Sequence, residues 1–327
     1  MRKIVLFSLV LGISAFGVEV WRTNLPYAFL CFTPEPTKAL LWNGERVGLL
    51  DLPEFQVVFE AHVPRAWQTF GLPALSPAGF YLAAATSDTI FFWDTKSREL
   101  AMSYKIPNFC GRWLAFLDEQ RLFLGSKYLC HEAYIMDVRT GEILKTFSEA
   151  VFPMSISLDG NFFAAAMPLA EERIRVWNMV TGELISSFHF PEEIISLVFD
   201  PAGNLVAGGS EGKIYICDIL NGVVVRVFEQ GSPINSLALS PDGRLLAVSS
   251  QDDRVVVWTF PDGEKLLEVN MQEELLKFGI LPDWEWIWPK TLYVYITSWS
   301  PDGKMISVSC NTKSLGREVF ILKLPEL

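Results

Sequence analysis

Apolar and polar positions along this chain form short runs that recur about every forty residues. The clearest pair is Leu245 to Ser249 and Val255 to Trp258, both rich in aliphatic and β-branched residues. Such runs, with almost no helical period between them, are typical of short antiparallel strands. The pattern predicts an all-β repeat architecture.

A turn motif precedes each first run. Its clearest copies are Ser76-Pro77-Ala78-Gly79, Asp200-Pro201-Ala202-Gly203, Ser240-Pro241-Asp242-Gly243 and Ser300-Pro301-Asp302-Gly303. Proline presets φ at the turn, and glycine supplies the positive φ that closes it. A second turn, for example Thr140-Gly141-Glu142, follows the second run. Each repeat therefore predicts a four-stranded antiparallel meander, and weaker copies bring the number of repeats to seven.

The second run often ends near a tryptophan and an acidic residue, and Trp93-Asp94 is the literal dipeptide. Together with the turn motif, this resembles the WD-repeat β-propeller family, although the Gly-His pair usual in that family is absent. The resemblance covers nearly all of residues 18–327 and implies a seven-bladed β-propeller.

The repeat also predicts how the ring closes. Val18 to Trp21 aligns with the fourth strand of a blade, and no first three strands precede it. The last repeat supplies only three strands, at Tyr295 to Trp299, Lys304 to Ser309 and Val319 to Leu324. We expect Val18 to Trp21 to pair with Val319 to Leu324, which removes an exposed sheet edge.

Residues 1–17 have the pattern of a signal peptide. Arg2 and Lys3 precede an apolar run from Ile4 to Phe16, which is shorter than the roughly 20 residues that span a bilayer core. Small residues at Ala15 and Gly17 suit cleavage after Gly17. This predicts an exported protein, periplasmic or extracellular, with residues 18–327 as a single domain and no stable membrane insertion. The alternative is a buried N-terminal strand of a cytoplasmic propeller.

The formal net charge is −11, from 27 basic and 38 acidic residues. This charge disfavours nucleic acid and anionic lipid as partners. Acidic pairs such as Asp252-Asp253 do not form a calcium-binding motif, because a calcium site needs six to eight oxygen ligands. We predict no metal and no cofactor.

The chain has five cysteines, so at least one stays unpaired if the others form disulfides within the chain. Cys217 and Cys31 fall at core positions of the repeat. Cys110 and Cys130 fall at the same end of the third blade, which makes a disulfide between them the best candidate. The alternative is two free thiols.

Catalysis most often needs histidine, and the chain has three, His62, His131 and His189. They come from different blades, and no nucleophile, metalloprotease or phosphate-binding motif is present. The sequence therefore predicts a non-enzymatic protein. The alternative is an enzyme with a site at the channel mouth near these histidines.

One segment exceeds the repeat. Pro241 and Pro301 are sixty residues apart, and the extra residues are Asn270 to Leu292. Gln272 to Phe278 predicts one or two helical turns. Trp284, Trp286 and Trp288 alternate, so an extended segment presents them on one side.

These three indoles predict a binding platform for a protein or peptide, or else for a carbohydrate or cell-wall fragment. The alternative is a structural cover that buries the indoles against Leu275, Leu276 and Phe278. Our prediction is a secreted, non-enzymatic scaffold that binds protein or peptide partners on the face of the interblade loops.

Overall fold

The computed structural model describes residues 11–13, 18–23, 29–33, 37–52, 56–64, 73–86, 88–106, 111–126, 132–167, 174–278, 292–312 and 316–325. Over these residues the chain forms seven antiparallel β-sheets, six with four strands and one with five. Within six sheets, hydrogen-bonded neighbours are consecutive in the chain, as predicted for meanders. The sheets are the blades of a seven-bladed β-propeller.

The first two described strands, which belong to the seventh blade, are β1 (Leu11–Ile13) and β2 (Glu19–Thr23). Blade 1 contains β3 (Phe29–Phe32), β4 (Lys38–Trp42), β5 (Arg46–Asp51) and β6 (Gln56–His62). Blade 2 contains β7 (Ala74–Leu75), β8 (Tyr81–Ala85), β9 (Thr89–Asp94) and β10 (Leu100–Lys105). Blade 3 contains β11 (Gly111–Phe116), β12 (Arg121–Ser126), β13 (Glu132–Asp137) and β14 (Ile143–Ser148).

Blade 4 contains β15 (Val151–Ile156), β16 (Phe162–Ala166), β17 (Ile174–Asn178) and β18 (Leu184–Phe188). Blade 5 contains β19 (Ile194–Phe199), β20 (Leu205–Gly209), β21 (Lys213–Asp218) and β22 (Val223–Glu229). Blade 6 contains β23 (Ile234–Leu239), β24 (Leu245–Ser250), β25 (Arg254–Thr259) and β26 (Lys265–Asn270). A short helix, α1 (Met271–Lys277), precedes β27 (Leu292–Trp299), β28 (Met305–Thr312) and β29 (Gly316–Lys323) of blade 7.

Two recurrent turns set the strand register of the blades. Between β23 and β24, the Ser240 amide donates to the Leu245 carbonyl at 2.8 Å, and Gly243 closes the turn with a φ of +69°. Between β21 and β22, the Asp218 carboxylate accepts hydrogen bonds from the amides of Leu220 and Asn221, both at 3.0 Å. These turns lie where the repeat predicts them.

Among the described residues, the hydrophobic core consists of seven clusters, each at the junction of two consecutive blades. At the junction of blades 7 and 1, Val319 and Ile321 of β29 pack with Leu30 and Leu41. Because this junction is packed like the other six, the ring is closed.

The closing strand pairs as predicted. β2 lies antiparallel to β29, with Glu19 opposite Lys323 and joined to it by an ion pair of 3.1 Å. Arg22 donates two hydrogen bonds to the Glu318 carboxylate, each 3.0 Å long. β1 pairs with the other side of β2 and falls within the segment interpreted as a signal peptide. An N-terminal strand was the alternative to that interpretation.

A polar network joins blade 5 to blade 6. Gln230 lies in the interblade loop and accepts a hydrogen bond from Trp258 Nε1 at 3.1 Å. Its amide nitrogen donates to Ser250 Oγ at 3.2 Å, and that hydroxyl donates to Asp252 at 2.5 Å. One side chain of the loop therefore fixes two strands and a turn of the next blade.

Candidate functional site

A cleft of about 470 Å³ opens between blades 5 and 6. It lies at the end of the blades that carries the first-to-second and third-to-fourth strand turns, opposite the interblade loops. Its lining residues are Asp200, Pro201, Ala202, Asn204, Ile216, Val225, Arg226, Asp242, Gly243, Phe260 and Pro261.

The floor of the cleft is a close contact between two turns. A Cβ atom added to Gly243 would lie 2.6 Å from both Cδ and Cγ of Pro201. Only a residue without a side chain fits there, and the positive φ of Gly243 makes the same demand. The turn of blade 6 is thereby fixed against the turn of blade 5.

Two carboxylates lie at the cleft. Asp200 is buried and accepts hydrogen bonds from the amide and the side chain of Asn204, at 2.7 and 2.9 Å. Asp242 is exposed and accepts from the Ser240 hydroxyl at 2.6 Å. This hydroxyl, with the Arg244 amide, holds the pKa of Asp242 below its usual value, so its carboxylate is charged at neutral pH.

One wall of the cleft is formed by Arg226 of β22. Its guanidinium donates to the Pro261 carbonyl at 2.6 Å and lies 4.0 Å from the Asp262 carboxylate. Fourth strands of two other blades bond to the next blade in the same way, through Tyr104 to the Arg139 carbonyl and through Lys145 to the Met179 carbonyl. Arg226 therefore holds blades 5 and 6 together as well as lining the cleft.

Beside the cleft, β22 exposes an unusual amount of apolar surface. Val223, Val224, Val225 and Val227 are each between 40% and 57% exposed. An exposed apolar residue at the position of Val225, where the strand bulges, recurs as Leu144, Ile185 and Leu266 in other blades. That single position is thus a property of the repeat.

Val223 and Val227, in contrast, are exceptions to the repeat. At the position of Val223, blades 1–4 and 6 carry Gln56, Glu99, Glu142, Glu183 and Glu264. At the position of Val227, the same blades carry Glu60, Ser103, Thr146, Ser187 and Glu268. Five of the described blades place polar residues where blade 5 places valine, so the apolar surface of β22 is specific to this blade.

Comparison with known proteins shows which repeat and which fold this chain resembles. Residues 222–259 match the family model described as WD domain, G-beta repeat, and the match covers β22 to β25 on the two sides of the cleft. The β-propeller domain of Cps50 (Swd1) from Myceliophteria thermophila superposes on this chain with a TM-score of 0.70 and 13% identity, covering 97% of this chain and 100% of that one.

Similar sequences carry the same repeat. WD repeat-containing protein 18 of Danio rerio is 24% identical over 63% of this chain and 54% of its own length. WD repeat-containing protein SL1-17 of Schistosoma mansoni is 22% identical over 64% of this chain and 71% of its own length. The chain is a seven-bladed β-propeller with repeats similar to the WD repeat. The match spans about half the length of the Danio rerio protein.

WD-repeat propellers typically act as protein-interaction scaffolds. The residues that the sequence predicted for binding, Trp284, Trp286 and Trp288, lie outside the described residues, so their role stays a prediction. The exposed valines of β22 and the cleft beside them were not predicted. The sequence did contain a signal of this surface, because Val223 to Phe228 is apolar except for Arg226, whereas the fourth strands of blades 1–4 and 6 are polar at the positions of Val223 and Val227.

The start of the insertion is described, and its predicted helical turns are confirmed as α1. Asn270 caps the helix by accepting hydrogen bonds from two amides of the first turn. Met271 and Leu275 are buried in the core cluster of blades 6 and 7, and the Phe278 ring lies 5.7 Å from that of Phe320. The start of the insertion, from Met271 to Phe278, is therefore fixed in the core. No helix among the described residues is long and apolar enough to span a membrane.

The other candidate residues give a mixed result. Cys110, Cys130 and His131 lie outside the described residues, so the disulfide stays a prediction. Cys217 is buried as predicted, and burial raises the pKa of its thiol to about 12.

His62 and His189 are both exposed, at the end of β6 and in the loop between blades 4 and 5. Within the described part of the chain, no group of three or more His, Cys, Asp or Glu residues could hold a metal ion.

Proposed function

We propose that this propeller is a non-enzymatic scaffold that binds a protein or peptide partner along β22 and the cleft between blades 5 and 6. The observation that carries the proposal is the pair of exposed valines, Val223 and Val227, at positions where five other blades are polar. Exposed apolar patches next to a concave site mark interaction surfaces. Fully burying one valine contributes about 1.5 kcal/mol, so several valines together support specific binding.

Charge supports a protein partner over nucleic acid or an anionic membrane. The chain has a net charge of −11, and the cleft lining contains two carboxylates and one guanidinium, so it is also acidic. Phosphate backbones and anionic lipid headgroups would be repelled by this field.

The test replaces each of the two valines with the residue at the same position in blade 3, as Val223→Glu and Val227→Thr. The capture protein is otherwise wild type and carries a photo-crosslinking amino acid in place of Val225. Each captured partner is purified, and its affinity for the wild type and for the double variant is measured. Leu144, the equivalent residue of β14, carries the crosslinker in the matched control. We expect crosslinks at position 225 that are absent at 144, and an affinity that the double variant lowers. Equal crosslinking at both positions, or unchanged affinity, would contradict the proposal.

A second surface rests on the sequence of the insertion. Trp284, Trp286 and Trp288 alternate after a helix that is anchored in the core, and we propose that they bind the same partner or a second one. Aromatic platforms also stack on sugar rings, so a carbohydrate or cell-wall fragment is the competing ligand. Comparing the wild type with Trp284→Ala/Trp286→Ala against a captured protein and against soluble peptidoglycan fragments separates the two. If neither affinity changes, the indoles bind neither ligand, and the alternative of a structural cover is favoured.

We further propose that the protein is exported and that cleavage occurs near Gly17. The basic residues and short apolar run of residues 1–17 support this proposal. Intact-mass measurement of the protein from its native host tests it. A mature protein beginning at Val18 agrees with export, and one that retains residues 1–17 argues for a cytoplasmic propeller.

A further inference from the structure

We propose that the outer edge of β22 takes an added β-strand, supplied by an extended peptide segment of the partner that is apolar at its centre and basic at its ends. The proposal rests on the proposed function, since it names how the partner binds at that surface. Its evidence is the backbone geometry of β22, the lack of unbonded charges between Val223 and Phe228, and the charges around the strand.

The backbone of β22 has hydrogen-bonding groups that point away from the blade. The Gln230 amide donates to the Gly212 carbonyl at 2.8 Å, and these residues lie in register with the pairing of β21 and β22. Because hydrogen-bonded and non-hydrogen-bonded pairs alternate in antiparallel sheets, Phe228 and Arg226 bond inward to β21. Val227 and Glu229 therefore direct their amide and carbonyl groups outward. Among the described strands, β21 is the only one that pairs with β22.

Edge strands are normally protected by charged side chains, which discourage pairing with other chains. The fourth strands of blades 1 and 6 carry such charges, for example Glu60 and Glu268. Within β22 the one charge before the terminal Glu229 is Arg226, and its guanidinium is bonded to Pro261 across the cleft. The edge of β22 is thus apolar and carries no unbonded charge between Val223 and Phe228. Beyond the bulge at Val225 the strand is regular, and the outward groups of Val227 and Glu229 can pair with an added strand.

The size of the edge favours a peptide over a second copy of the chain. A stable interface between two globular proteins needs about 20–30 residues on each side, and β22 has seven. An extended peptide obtains its affinity from main-chain hydrogen bonds and from alternate side chains, so seven residues suffice. The side chains that flank the residue opposite Val227 would point toward the face of Arg226 and Phe228, where the cleft lies.

Charged groups near the strand determine which residue types we expect at the two ends of the peptide. Asp218 and Glu229 lie at the two ends of β22, and Asp242 lies at the rim of the cleft. The amide of Asn221 and its side chain hold the pKa of Asp218 below its usual value, so Asp218 remains charged at neutral pH. Lysine or arginine at the ends of the peptide complements these carboxylates.

The probe is a fluorescent eight-residue peptide of alternating valine and threonine with lysine at both ends. Two further peptides serve as controls, one with glutamate at both ends and one in which the internal amides of both edges are N-methylated. The second control keeps the side chains and removes the backbone donors of both edges, so the peptide has no free edge left to present to β22. Binding to the full chain is measured by fluorescence anisotropy at low and high salt, and amide exchange is measured by NMR.

We expect the lysine-ended peptide to bind more tightly than the glutamate-ended one, with a difference that high salt reduces. N-methylation should weaken binding by about tenfold or more, because several main-chain hydrogen bonds are lost. On binding, the amides of Val227 and Glu229 should exchange more slowly, whereas the inward amides of Arg226 and Phe228 should change little.

A protein variant gives an independent arm. Val227→Pro removes an outward amide and should abolish binding, while Thr146→Pro at the equivalent position of β14 should leave it unchanged. If Val227→Pro does not fold, the N-methylated peptide and the exchange measurement still show whether a strand is added, because both use the wild-type chain.

Three results would overturn the inference. Equal binding of the N-methylated peptide, or unchanged exchange of the Val227 amide in a saturated complex, would show that no strand is added. Dimerisation in sedimentation equilibrium that Val227→Thr abolishes would show that a second copy occupies the edge. If these peptides fail while Val223→Glu/Val227→Thr still loses a captured partner, the scaffold function stands and only strand addition is wrong.

Discussion

The contact between Gly243 and Pro201 makes a quantitative prediction about the junction that forms the cleft. Gly243→Ala adds a Cβ atom 2.6 Å from two atoms of the Pro201 ring, in a backbone conformation with a φ of +69°. The substitution therefore has two costs, one from the positive φ and one from the contact with Pro201. The variant Gly160→Ala distinguishes them, because Gly160 occupies the same turn in blade 4 with a φ of +70° and has no atom within 4 Å of an added Cβ.

Gly160→Ala carries only the conformational cost, about 1–2 kcal/mol for a residue with a side chain in the left-handed region. Gly243→Ala carries that cost and the steric conflict with Pro201. The proline ring is tied to the backbone of its own turn, so relieving the conflict moves the turn, and we expect a further 1–3 kcal/mol or so, as for other overpacked sites. The total is about 2–5 kcal/mol.

Urea unfolding followed by tryptophan fluorescence measures both variants against the wild type, with an unchanged m-value as the condition for comparison. Pro201→Ala removes two ring atoms and should recover most of the difference between Gly243→Ala and Gly160→Ala, giving a coupling energy of about 1–3 kcal/mol in the double-mutant cycle. Equal losses for the two glycine variants, or no recovery by Pro201→Ala, would refute the contact.

Three more predictions concern other parts of the ring. Gln230→Ala leaves Trp258 Nε1 without its acceptor, so the free energy of unfolding should fall by about 1–3 kcal/mol, and Trp258→Phe should add little to that loss; additive losses would contradict the network. Deleting residues 18–21 removes most of the closing strand and should lower Tm by more than about 5 °C in calorimetry, and an unchanged Tm would contradict ring closure. The pKa of Asp218 is lowered in the folded state, so its stabilisation is present above the usual value of 3.8 and is lost as pH falls below it. Asp218→Asn should therefore flatten the loss of stability at acid pH, and Asp262→Asn, which removes the same charge, is the control in urea titrations across that range.

Local chemistry explains how much of the fold could be predicted. The motif Ser240-Pro241-Asp242-Gly243 specifies its turn through a fixed proline φ, a glycine with positive φ and a hydroxyl that bonds to the carboxylate, all within four residues. Counting between such turns then located the closing strand, because the spacing of the strands is fixed by the repeat. A strand at β1 was only the alternative, because its apolar residues were interpreted first as part of a signal peptide.

The cleft and the exposed valines could not be predicted in the same way, because they depend on contacts between blades. A mainly apolar run without alternation, such as Val223 to Val227 with its single Arg226, is typical of a strand buried on both faces. In the ring, however, the fourth strand of each blade lies at the outside, so this run is exposed. The close approach of Pro201 to Gly243 likewise joins turns of different blades, and no local pattern specifies it.

The repeat finally separates the residues that stabilise the ring from those that bind. Turns, core clusters and interblade hydrogen bonds recur from blade to blade, so the seven-bladed structure depends on them. Val223 and Val227 depart from the repeat on an exposed surface, where substitutions usually change stability by less than about 0.5 kcal/mol. Val223→Glu/Val227→Thr should therefore leave the urea midpoint nearly unchanged while it weakens partner binding. A large loss of stability in this variant would mean that the valines are structural, and the binding surface would then have to be sought in the insertion after β26.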